Sequence, residues 1–216
     1  MRDVLKKSQS LLDNVEQEQV QEVQRAAGRH VSSWIRLHDS PARVDGHVHD
    51  ALLDEIASAH ASTVHAAVRR DGEWRSLSYS HQLGHGARRL AVAALQESVT
   101  GFTSLCETLC DSLPEAEELL SQASRLLTAA YDELLRRMQL ASLTFYREQF
   151  KLDPRLWLDS AEEWGKGPGY RNRVVRHNQA WFQGADRQEL EEQLETMLRR
   201  EWAGLLERVK SIFEGA

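Results

Sequence analysis

The residues best suited to chemistry lie in one short run, Asp45-Gly46-His47-Val48-His49-Asp50. Histidine and aspartate are the donors a hydrolytic metal site needs, because a bound divalent ion turns water into a nucleophile near neutral pH. His30 upstream, and Asp54 or His60 by helical spacing, would complete such a ligand set. His81 and His85 form a second pair, four residues apart on one helix face, but no glutamate follows His81 as the HExxH pattern requires. The same His-Asp pair has a plain structural use at a helix start, as a cap and a partner of the helix dipole. Cys106 and Cys110 share a leucine-rich helix face without a cation to depress their pKa, and read as buried, reduced thiols. Gly165-Lys166-Gly167-Pro168-Gly169 has the letters of a phosphate-cradling loop but not the GxxxxGK[ST] spacing, and reads as a turn between helices.

A different kind of site is suggested near the C-terminal end. Arg171, Arg173, Arg176 and His177 stand among Tyr170, Trp181 and Phe182. A basic helix with aromatics can lie on a membrane surface or dock an acidic partner. The structural alternative buries the aromatics and leaves the arginines solvated or paired with glutamates. The final helix carries Trp202, Leu205, Leu206 and Val209 in a near-heptad stripe. The expected partner-binding positions are therefore Arg171, Arg173, Arg176, Trp181, Phe182, Trp202, Leu205 and Leu206; no catalytic, cofactor-binding or metal-ligating residue is assigned.

The elements that must position these groups are helices. Only four prolines occur, at 41, 114, 154 and 168, leaving long uninterrupted segments. Residues 3–37 predict one long polar helix with a thin apolar stripe, ended by Asp39-Ser40-Pro41. Further helices are predicted at 46–70, 78–111 and 115–150, then a short one after Pro154, one at 169–183 and a last one at 186–213. Asp71-Gly72 breaks the second helix, and Trp74 and Tyr79 would pin the corner that follows. No strand pattern is evident. The expectation is an all-α fold, an elongated antiparallel bundle of about six helices. It is read as a single unit over 1–216, with the long first helix, a helical core at 46–150 and a C-terminal part at 154–214.

Composition narrows the function classes. Hydrophobic residues are 41% and charged residues 28%, the balance of a globular chain with much solvated helix surface. The net charge of −6 argues against non-specific nucleic-acid binding, which needs a basic footprint. The opening Met1-Arg2-Asp3-Val4-Leu5-Lys6-Lys7 has no apolar core region of a signal peptide, and no run reaches transmembrane length. A cytoplasmic location is expected.

Two runs carry a family resemblance. Thr63-Val64-His65-Ala66-Ala67-Val68-Arg69-Arg70-Asp71-Gly72, followed by Leu77 and Tyr79, resembles the helical part of bacterial dynamin-like GTPases. Trp164-Gly165-Lys166-Gly167-Pro168-Gly169-Tyr170-Arg171-Asn172-Arg173-Val174, with His177, Trp181 and Phe182, adds to it. The resemblance implies a stalk-like, non-catalytic assembly module that contacts itself or a GTPase-bearing partner. The chain departs from that family in having no phosphate loop, so it would be a separated stalk, a fragment or a companion subunit. The His49-Asp50 segment, in turn, faintly resembles helical HD-type metal phosphohydrolases, and an enzyme of that class is the alternative. A membrane-surface adaptor using the Arg171–Phe182 segment is the third.

Overall fold

The computed structural model describes residues 2–68, 84–152, 176, 180 and 182–214. Among them there is no strand. The described helices are α1 (Arg2–Leu37), α2 (Gly46–Val68), α3 (His85–Ser112), α4 (Glu117–Leu152) and α5 (Ala185–Ser211), with a 3-10 turn at Pro114–Ala116 before α4.

Each boundary has a local cause. At the end of α1, the His38 backbone N–H donates to the carbonyls of Trp34 and Ile35, both at 3.1 Å. His38 Nδ1 donates to the same Trp34 carbonyl at 2.9 Å, since a carbonyl can only accept. α2 opens under Asp45, whose Oδ1 accepts from the N–H of His47 at 2.9 Å and of Val48 at 3.4 Å. That is an N-cap, and it gives Asp45 a structural task in the run first read as metal-ligating.

The third helix begins later than its expected start at residue 78. Gly84 adopts φ +77°, a left-handed conformation that ends any helix running through it. A Cβ here would also overlap the Gln139 carbonyl and come within 2.8 Å of Ser142 Oγ. Gly86, the second residue of α3, packs so closely on α2 that a Cβ would lie 2.5 Å from the Leu52 carbonyl oxygen. The fourth helix also starts late, because Pro114–Ala116 winds as a 3-10 turn with Pro114 at its first position. The corner built on Trp74 and Tyr79, residue His81 and most of the expected 169–183 helix lie outside the described residues. Arg176 and Ala180 are helical, and the chain has left the helix by Phe182.

The chain divides into two compact units. The first comprises residues 1–41, 97–131 and 201–216. Its core is aromatic: the Trp34 ring lies 4.7 Å from Phe102 and 6.4 Å, edge-on, from Trp202. His38 stacks on Trp34 at 4.4 Å. Trp202 is fully buried, and its Nε1 donates to the His38 carbonyl at 2.7 Å. A buried indole needs such a partner. Ala27, Val31, Leu120, Leu127 and Val209 complete this core with no exposed surface.

The second unit comprises residues 42–96 and 132–200. Leu53 and Ile56 of α2, Leu95 of α3, Met138 and Tyr146 of α4, Phe182 ahead of α5 and Leu190 of α5 form its buried centre. The link after α1 is tied to α3 by a hydrogen bond from the Ala42 N–H to the Ala94 carbonyl, 2.9 Å long.

Candidate functional site

The His49-Asp50 run sits on α2 facing α5. Asp50 and Asp54, one turn apart, present their carboxylates on one face of α2. Arg187, in the first turn of α5, bridges them: Nη2 donates to Asp50 Oδ1 at 2.7 Å and Nη1 to Asp54 Oδ1 at 2.9 Å. The arginine side chain is 22% exposed, so the two ion pairs are partly shielded. One turn further along α5, Glu191 Oε1 lies 3.5 Å from His49 Nε2. A second tie, Arg89 of α3 to Glu55 at 2.7 Å, holds the same helix from another side.

This geometry changes the meaning of the His-Asp motif. The carboxylates that would hold a metal are taken up by a guanidinium, and the imidazole faces a carboxylate. His47 is exposed, as is His85, and His30 belongs to the other compact unit. Among the described residues, no group of three or more His, Cys, Asp or Glu side chains is placed to hold a metal ion. The cluster is an interhelical clamp. Its sequence signal was the matched spacing of Asp50/Asp54 and Arg187/Glu191, each pair one helical turn apart.

Tyr146 lies tilted against Phe182, with ring centres 5.5 Å apart. Burial pushes the Tyr146 phenol well above its ordinary pKa; Asp186 adds to the rise and Arg187 opposes it. The thiols behave as their surroundings dictate. Burial, then the neighbouring Cys110 and Glu107, pushes Cys106 up to about 12. Cys110 is raised in the same direction, again chiefly by burial. Neither is an activated nucleophile.

The expected partner-binding positions separate into three groups. Arg176 is exposed. Arg171, Arg173 and Trp181 lie outside the described residues. Phe182, Trp202, Leu205 and Leu206 are buried in the chain's own packing. The helices of the same chain cover Trp202, Leu205 and Leu206 of the last helix, and Phe182 ahead of it is covered as well.

Among the described residues, the exposed large apolar side chains are Val15 and Val20 early in α1, Leu37 at its end, Val48 of α2 and Leu140 of α4. Every residue from Val15 to Val20 is exposed, with Val15 at 51% and Val20 at 36%. On the same helix Ala27 and Val31 are fully buried. The exposed stretch is acidic. Glu22 pairs with Arg25 at 3.5 Å and Arg29 at 3.2 Å. Glu16 and Glu18 have no ion-pair partner among the described residues. Apolar positions flanked by charge on a helix face are suited to helix docking.

Compared with protein-family models, curated proteins and solved structures, the chain finds no match. Among the described residues, no helix is long and apolar enough to cross a membrane.

Proposed function

We infer that the chain is a non-catalytic helical assembly module. In the form its family resemblance implies, it is an elongated antiparallel bundle of about six helices, similar to the stalk of a bacterial dynamin-like GTPase. It works through helix-face contacts with itself or with a GTPase-bearing partner.

The observation that carries this reading is the contrast within α1, a helix of 36 residues. The stretch from Ala27 to Ile35 is anchored in a core, while every residue from Val15 to Val20 is exposed. A helix without buried contacts is marginal in water, and a second surface would supply the contacts it lacks. The occupation of Asp50 and Asp54 by Arg187 also favours a binding role over metal-assisted hydrolysis.

Light scattering over a concentration series tests the reading, with growth of the average mass expected below about 100 μM, where micromolar interfaces form. A mass that stays at one chain throughout would leave only a hetero-partner. Titration calorimetry with GTP is expected to show no binding, and micromolar affinity would overturn the non-catalytic assignment.

A further inference from the structure

Both cysteines of the chain are free thiols, four residues apart on α3. Residues so spaced stand one above the other on a single helix face. Cys106 is buried, at 3% exposure, and Cys110 one turn on is half-buried. Beyond its burial, Cys106 feels the charge of Cys110, so the two sulfurs are close neighbours. Cys110 in turn feels, beyond its own burial, the charges of Glu117, Asp111 and Glu107. All three carboxylates are exposed. The pair is therefore stepped, with an inner thiol closed off from solvent, an outer one open to it, and acidic groups beside the outer one.

Distance decides what such a pair can hold. Side chains four apart on a helix start from Cβ atoms about 5–6 Å apart. A disulfide needs about 3.5–4.5 Å between them, so these thiols do not join while α3 keeps its hydrogen bonds. An ion between them meets no such obstacle. With metal–thiolate bonds of the length zinc makes, about 2.3 Å, an ion in line with two sulfurs sets them roughly 4.6 Å apart, which the helical spacing accommodates. A tetrahedral structural ion needs four ligands. Among the described residues, no third His, Cys, Asp or Glu joins the pair in a metal-holding group. Charge narrows the choice further. A doubly charged ion replaces two thiol protons and leaves the site neutral. A singly charged one leaves a net negative charge against the buried surroundings of Cys106, which costs free energy.

We propose that Cys106 and Cys110 form a two-thiolate site for a soft divalent cation of linear coordination, the class to which the mercuric ion belongs. The ion enters at Cys110, where the carboxylates of Glu107, Asp111 and Glu117 favour a cation, and is then shared with Cys106 beneath. Each Sγ forms one bond to the ion, each S–H bond breaks, and two protons leave to solvent; no electron is transferred. Thiolate sulfur prefers soft ions, and the ion displaces the protons itself, so neither thiol needs prior activation. Both ligands lie on one folded helix, so an ion held this way adds its binding free energy to the stability of the native chain.

The test titrates the reduced chain with mercuric chloride against an excess of glutathione, whose single thiols compete without chelation. Native mass spectrometry counts the ions, and circular dichroism follows helicity and Tm. One ion per chain is expected, with helicity unchanged and Tm raised. X-ray absorption should find two sulfur neighbours around it. Cys110→Ala, which spares the buried Cys106, is expected to weaken retention at least a hundredfold. Cys110→Ala/Asp111→Cys keeps two thiols but turns the outer one about 100° around the helix, and should be as weak as Cys110→Ala. Zinc chloride in place of the mercuric salt should leave Tm unmoved. Two ions per chain, one on each thiol, would overturn the proposal. Equal retention by the displaced-thiol variant would overturn it too, because the shared helix face would then be irrelevant. A Tm that falls on binding would also overturn it, by showing that the ion prefers the unfolded chain.

Discussion

The two parts of α1 obey the same sequence grammar and end in opposite environments. Val20 and Val31 are both valines in a run rich in glutamine, glutamate and arginine. Val31 is fully buried, whereas Val20 is exposed. The difference lies in what stands across from them. Near Val31 the helix meets the aromatic core of Trp34, Phe102 and Trp202; from Val15 to Val20 every residue is exposed. Apolar spacing in a helix announces that a surface will be covered, and does not say by whom.

The sharpest way to break this contrast is to remove what covers the buried part. Trp202→Ala deletes a fully buried indole and leaves the His38 carbonyl without its donor. It should cost about 3–5 kcal/mol in urea denaturation. A loss under 1 kcal/mol would mean that the anchored part of α1 is no better held than the bare part.

A second approach works through pH. Cys106 sits in the core of the same unit and its thiol is held up to about 12 against an ordinary value near 9. A raised acid pKa means that the fold favours the neutral thiol. Stability is therefore unaffected below about pH 9 and falls as pH rises from there towards 12. Cys106→Ala should flatten that alkaline decline. Equal declines in both proteins would show the thiol to be solvated. Alkylation should follow the same logic, with Cys110 reacting before Cys106.

Arg187→Ala probes the other unit and serves as the contrast's control. Losing two partly shielded ion pairs should cost about 1–2 kcal/mol. It should leave the concentration dependence of light scattering unchanged, because the clamp joins α2 to α5 and touches no residue of α1. The smallest effect on stability is expected from Val20→Asp, within about 0.5 kcal/mol, as for other exposed substitutions. The same change should nonetheless reduce self-association. A destabilised monomer would show instead that Val20 is packed.

Much of the fold was legible because long helices advertise their period. Pro114, Asp39-Ser40-Pro41 and the leucine stripe of α4 mark their ends and faces with local signals. The start of α3 was not legible, because the left-handed turn at Gly84 is fixed by its contact with Gln139 and Ser142, more than fifty positions away. The clamp was hidden for a similar reason: Arg187 finds Asp54 across 133 positions of chain. Trp202, Leu205 and Leu206 show the ambiguity from the other side. Their heptad-like stripe describes a covered face equally well whether the cover is another molecule or the same one.

The hydrogen bond from Trp202 to His38 also has a bearing on biosynthesis. Its two ends are 164 positions apart, and α1 is made first. At ribosomal speeds of about 5–20 residues per second, Trp202 follows His38 by roughly eight to thirty seconds. Throughout that interval Trp34 lacks the Trp202 ring that later packs against it. On a polysome, neighbouring nascent chains would each display the whole helix, and copies made side by side could meet through it before either core has closed.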